Sequence, residues 1–157
     1  MTICISGASG LVGNEILIQL LNDPRTEKVL VLARTPLGFG HPKMQAVLIP
    51  FDQLDQLEVA EKIDIAFCAL GTTLKKAGSK ERQQQIDRDY VVSFGRFCKK
   101  AGVRKIGIVS SIGANEKSSN FYLRTKGEME AGILQLEIPT TVFIRPSFLI
   151  GPRKEKS

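Results

Sequence analysis

The segment Gly7-Ala8-Ser9-Gly10-Leu11-Val12-Gly13 constrains this chain more than any other stretch. It follows the short apolar run Thr2–Ser6 and leads into Val12–Leu21, where Val12, Ile16, Leu17, Leu20 and Leu21 share one helical face. A strand that turns through glycines into a helix has a specific use. One glycine lets the chain turn sharply, the next lets backbone N–H groups approach a pyrophosphate, and the last lets helix and strand pack closely. The helix N-terminus then presents its partial positive charge to the phosphates. The spacing is GxxGxxG rather than GxGxxG.

The rest of the sequence repeats the alternation of strand and helix. Val29–Ala33 is an all-apolar run, the pattern of a parallel strand covered on both faces. A Gly- and Pro-rich loop (Pro36 to Pro42) precedes a strand near Ala46–Ile49. Leu54–Lys62 reads as a short helix and Ile63–Leu70 as the next buried strand. Ser79 caps a long helix reaching Ala101, with Gly102 as its stop, and Ile86, Tyr90, Phe94, Phe97 and Ala101 form its apolar face. Lys105–Ser110, Phe121–Leu136 and Thr140–Ile144 supply a strand, a helix and a final strand. The expected class is α/β, a doubly wound parallel sheet forming a Rossmann-type NAD(P)-binding domain. With 157 residues, no repeat and no internal linker, residues 1–157 are expected to make a single domain.

Composition narrows the function classes. Hydrophobic residues make up 43% and charged residues 24%, a balance that disfavours disorder, and the apolar run Ile65 to Leu70 is far too short to span a membrane. No secretory signal precedes the first strand, and a cytoplasmic location is expected. The net charge of +6 comes from scattered lysines and arginines without interleaved aromatics, which suits an anionic small molecule rather than nucleic acid. Cys4, Cys68 and Cys98 form no CxxC pair and are expected to be buried hydrophobes. His41, the only histidine, has no acidic or cysteine neighbours, so no metal site is expected.

Two further patterns carry chemistry. After the second strand, Arg34 stands where an NAD-preferring site places an acid, and no acid occurs from Val29 to Pro36. An arginine there fits a ribose 2′-phosphate, which points to NADP. Farther on, Tyr122 and Lys126 are four residues apart and therefore share a helical face. A free tyrosine loses its proton near pH 10, and a neighbouring ammonium favours the phenolate. Ser110-Ser111 ends the preceding strand, and Ser111 is preferred over Ser110 as the hydroxyl that polarises a substrate carbonyl.

Taken in order, several segments resemble the atypical short-chain dehydrogenase/reductases, in particular the Tat-interacting-protein-like oxidoreductases. They are Gly7 to Gly13, Leu70-Gly71-Thr72-Thr73, Lys76-Ala77-Gly78, Asp89-Tyr90-Val91-Val92, Val109-Ser110-Ser111, Ser118-Ser119-Asn120-Phe121, Lys126-Gly127-Glu128 and Arg145-Pro146-Ser147. The resemblance implies NADPH held at its pyrophosphate by Gly7, Ser9, Gly10, Leu11, Val12 and Gly13, and at its 2′-phosphate by Arg34. It implies Leu70, Gly71 and Thr72 beside the riboses and Lys126 on the nicotinamide ribose. Tyr122 would be the acid/base, and the backbone near Pro146 to Phe148 would meet the carboxamide.

Two departures stand out. The family continues past the Arg-Pro segment into elements that close a substrate cleft, and these are expected to be absent from a sequence ending at Ser157. Asp87 also stands where the larger superfamily often uses an asparagine for proton relay. The expected function is an NADP(H)-dependent oxidoreductase acting on a small carbonyl or alcohol. The alternatives are an NADPH-binding regulator that engages a protein partner without turnover, and a nucleotide-sugar epimerase-like enzyme.

Overall fold

Apolar strands dictate the centre of the molecule. In the computed structural model, which describes residues 1–147, Val29 to Leu32 are fully buried in β2 (Lys28–Ala33), and Ile3 to Ser6 are buried in β1 (Thr2–Ser6). The remaining strands are β3 (Met44–Leu48), β4 (Ile65–Cys68), β5 (Lys105–Val109) and β6 (Thr140–Ile144). All pair in parallel, in the order β3-β2-β1-β4-β5-β6. The chain winds outward from β1 to β3, then returns to lay β4 against the other side of β1. That reversal is the topological switch point, where α/β sheets open a ligand crevice at the carboxyl ends of their strands.

Helices cover both faces. On one, Leu17 and Leu21 of α1 (Leu11–Asn22) pack with Ile5, Val29 and Val31. On the other, Phe94, Phe97 and Cys98 of α4 (Tyr90–Lys100) and Met129 and Ile133 of α5 (Phe121–Leu134) pack with Leu30, Leu32, Ile106 and Ile108. The doubly wound parallel sheet is as expected, and Cys4, Cys68 and Cys98 are all buried within it. Burial pushes the Cys4 thiol up to about 12.

Two elements differ from the sequence reading. Instead of a helix over Leu54–Lys62, a 3-10 turn covers Phe51–Gln56 and the backbone is extended at Leu57 (φ −69°, ψ 135°). Phe51 and Leu54 are buried, so the apolar spacing was real but served one turn only. The following segment is pinned along the sheet edge: Glu61 pairs with Lys28, Asp64 N–H donates to the Thr2 carbonyl, and Thr2 N–H donates to the Asp64 carboxylate. A helix could not make those bonds.

The second difference is the long helix expected from Ser79 to Ala101. It is broken into α3 (Lys80–Gln84), a π turn at Gln85–Asp89 and α4, and it is preceded by the single-turn α2 (Leu74–Ala77). The π turn carries Asp87, which is fully buried. Its partners there supply the reason for the break.

Candidate active site at the carboxyl ends of the strands

The glycine segment divides its labour unevenly. Gly7 has φ +82°, and a Cβ there would overlap the Ala69 carbonyl group and lie 2.7 Å from the Leu70 nitrogen. A Cβ on Gly13 would overlap the Gly7 carbonyl, so α1 packs directly on the end of β1. Gly10 differs: its Cβ would meet only the Gly7 oxygen at 3.5 Å, and its φ of −81° suits any residue. It is the N-cap of α1 without a capping side chain, and no acidic residue stands in the first turn. The orphan N–H groups of that turn are therefore left to a ligand. Ser9 and Gly10 are exposed, and Leu11 and Val12 half-buried. A cradle lined by backbone, too tight for side chains at Gly7 and Gly13, fits a pyrophosphate.

Arg34 follows β2 at the same end of the sheet and is exposed, its guanidinium 5.6 Å from the centre of the Phe51 ring. Beyond β4, Ala69 N–H donates to the Ser6 carbonyl (2.9 Å), which carries Leu70, Gly71 and Thr72 past the glycine segment. Leu70 is buried, Gly71 exposed and Thr72 half-buried.

Tyr122 and Lys126 meet as expected, but with a third participant. Lys126 Nζ lies 5.7 Å from the centre of the Tyr122 ring and 3.3 Å from Asp87 Oδ1. The lysine and aspartate side chains are 4% and 0% exposed, whereas Tyr122 is 36% exposed. Asp87 Oδ1 also accepts the Thr72 N–H (3.2 Å). A Cβ on Gly71 would lie 3.1 Å from that oxygen and 3.7 Å from Lys126 Nζ. The path Gly7, Leu70, Gly71, Lys126, Tyr122 is thus continuous. Burial raises the Asp87 carboxyl above the ordinary carboxylate range, and the Lys126 charge opposes that rise.

The two serines part company. Ser110 is buried and donates to Glu130 Oε2 (2.6 Å), and Arg145 donates to the same oxygen through Nε (3.0 Å). Ser111 is half-buried and bonds only to the neighbouring Ile112 carbonyl (3.2 Å). The Pro146 carbonyl accepts from Ile112 N–H (3.2 Å), and Phe148 lies outside the described residues. His41 accepts the Lys43 N–H at Nδ1 (3.1 Å), away from these groups.

Asp87, Glu130 and Arg145 were not assigned these contacts from the sequence. The signal was present for the acids: Gln83, Asp87, Tyr90 and Phe94 fall on one buried stripe, as do Lys126, Met129, Glu130 and Ile133. A charge on a buried stripe needs a partner.

The NAD(P)H-binding family profile matches residues 7–150. The chain belongs to that family. It is 36% identical to protein FMP52, mitochondrial, of Debaryomyces hansenii over 99% of its own length and 70% of that protein. It is 34% identical to protein HTATIP2 of Rattus norvegicus over 98% of its length and 65% of that protein. These relatives agree with the resemblance to the Tat-interacting-protein-like reductases.

Among solved structures, the Bordetella bronchiseptica enzyme WbmH in complex with NAD+ superposes with a TM-score of 0.81 at 16% identity, covering 99% of this chain and 58% of that one. UDP-glucose 4-epimerase of Thermotoga maritima with UDP-glucose gives 0.79 at 15% identity, again over 99% and 58%. At such identities the likeness shows the fold alone.

One expectation is overturned by the relatives. FMP52 proteins of Debaryomyces hansenii, Candida albicans, Coccidioides immitis, Candida glabrata and Emericella nidulans, at 31–36% identity, are named mitochondrial. They point away from a cytoplasmic location. The cytoplasmic expectation rested on a missing secretory signal, which speaks to secretion and not to organelles.

Proposed function

We propose that this chain carries the cofactor-binding and acid/base residues of an NADPH-dependent reductase of small carbonyl compounds. The observation that carries the reading is the Tyr122–Lys126 pair, with 5.7 Å between ammonium and ring, joined through Gly71 to the glycine cradle. Gly7, Ser9, Gly10, Leu11, Val12 and Gly13 hold the pyrophosphate. Arg34 receives the 2′-phosphate, and Leu70, Gly71, Thr72 and Lys126 flank the riboses. The bound nicotinamide supplies a hydride. Tyr122, half-open to solvent, delivers the proton from its hydroxyl, and Ser111 orients the carbonyl oxygen. Ser110, already engaged by Glu130, is a less available donor.

Because the chain spans 65–70% of the relatives named above, the substrate pocket of the whole protein is not argued from it. Titration calorimetry with NADPH and NADH tests the proposal. The expected result is preference for NADPH, lost in Arg34→Ala. Equal affinities would remove Arg34 from the site, and binding of neither nucleotide would overturn the reading.

A further inference from the structure

Lys126 is a cation in a dry place. An ammonium that is 4% exposed and lacks a counter-charge gives up its proton, because burial penalises the charged form. Among the described residues its salt bridge is to Asp87, at 3.3 Å. The fold goes out of its way to provide that carboxylate. The helix leading into α4 takes a π turn at Gln85–Asp89, a local widening often found at functional sites, and Asp87 is buried at its middle. Gly71 leaves room for the carboxylate, since any side chain there would press on Asp87 Oδ1. The same oxygen takes the Thr72 N–H, and Asp87 Oδ2 is buried without a partner.

We infer that Asp87 is the positioning residue of the site: its carboxylate keeps Lys126 an ammonium beneath Tyr122 and ties that ammonium to the Gly71-Thr72 loop. The inference rests on reading Tyr122 and Lys126 as the acid/base pair. Asp87 acts through Lys126 and touches no reacting atom. The other titratable groups facing the pair are Cys68 on β4, whose thiol is pushed up by burial, and Tyr122 on α5. Neither is an anion that could replace Asp87 at neutral pH.

The test follows the Lys126 proton directly. In protein labelled at lysine Nζ and Cε, with the signal assigned by its loss in Lys126→Met, the resonance is followed from pH 6 to 11 without nucleotide. Asp87→Asn keeps the shape and the acceptor for Thr72 while removing the charge. Its Lys126 is expected to lose its proton at least about one pH unit below wild type. An unchanged titration in folded Asp87→Asn would overturn the inference and leave the reductase reading untouched. Failure of nucleotide binding, conversely, would end the reductase reading and leave this titration still decisive for the Lys126 charge.

Should Asp87→Asn fail to fold, the double variant Asp87→Asn/Lys126→Met settles the matter by thermal unfolding. Recovery of a cooperative transition in the double variant is expected, since no uncompensated ammonium is then buried. Equal failure of both would reduce Asp87 to a packing role and overturn the inference.

Discussion

Ser110 and Glu130 share a short hydrogen bond, 2.6 Å from hydroxyl to carboxylate, with both side chains buried. A donor held that way is committed to the fold, and its neighbour Ser111 is left with only a local carbonyl contact. Ser111→Ala is therefore expected to lower kcat about a hundredfold, the usual loss when one donor to a developing oxyanion is removed. Ser110→Ala is expected to reduce stability by about 1–3 kcal/mol, because a buried acceptor loses its partner, with kcat much less affected. Steady-state kinetics and denaturant titration of the two variants check this, and the reverse pattern would exchange the roles of the serines.

Tyr122→Phe removes a hydroxyl from a residue that is 36% exposed, so packing changes little. A general acid contributes about a hundred- to ten-thousandfold in rate, and that loss is expected in a reductase assay with a panel of aldehydes, ketones and quinones. NADPH affinity measured by calorimetry should stay within about threefold of wild type, since RT ln 3 is below 1 kcal/mol. Turnover equal to wild type would remove Tyr122 as the acid. Intact NADPH binding with no turnover in either protein would favour a regulator.

Gly10 and Gly13 separate binding from folding. Gly10→Val places its Cβ at an ordinary contact distance from Gly7 and at an allowed φ, so the variant should fold. Its branched chain should fill the approach to the α1 N-terminus and abolish NADPH binding. Gly13→Ala drives a methyl into the Gly7 carbonyl and should fail to give soluble, cooperatively unfolding protein. Circular dichroism with nucleotide titration distinguishes the two, and unchanged affinity in Gly10→Val would dismiss the cradle.

The buried thiols give a pH signature. Cys4 is pushed from 9.0 up to about 12, and Cys68 and Cys98 are also raised by burial. The native state therefore holds their protons more tightly than the unfolded state does. Their effect on stability is absent below about pH 9, and stability declines as pH rises beyond it. At pH 8 an aromatic disulfide reagent should find no reactive thiol in the native protein and all three cysteines after unfolding. Rapid native labelling would contradict the burial.

Much of this was legible in the residues. Val29 to Leu32 could only be an inner strand, and glycines between a strand and a helix fixed the end of the sheet at which to look. Leu54 to Lys62 misled because apolar spacing reports burial, not how far a helix continues. The sheet-edge bonds of Glu61 and Asp64 decided that, and they join partners distant in sequence. Asp87 was noticed as a departure from asparagine, yet its pairing with Lys126 depends on a π turn that periodicity does not encode. The serine pair was read in the preferred order, but the reason, Glu130 on the following helix, needed the fold.

The close fit of Gly7 against Ala69 and Leu70 has a consequence for how the molecule matures. The nucleotide loop looks like a local motif, but its shape is clamped by a strand that emerges much later along the chain. A ribosome that has released only the first strand, the loop and α1 has made a motif without a pocket. Recognition of the cofactor must wait until β4 has been laid beside β1, so NADPH can reward only a chain that has already closed its central crossover.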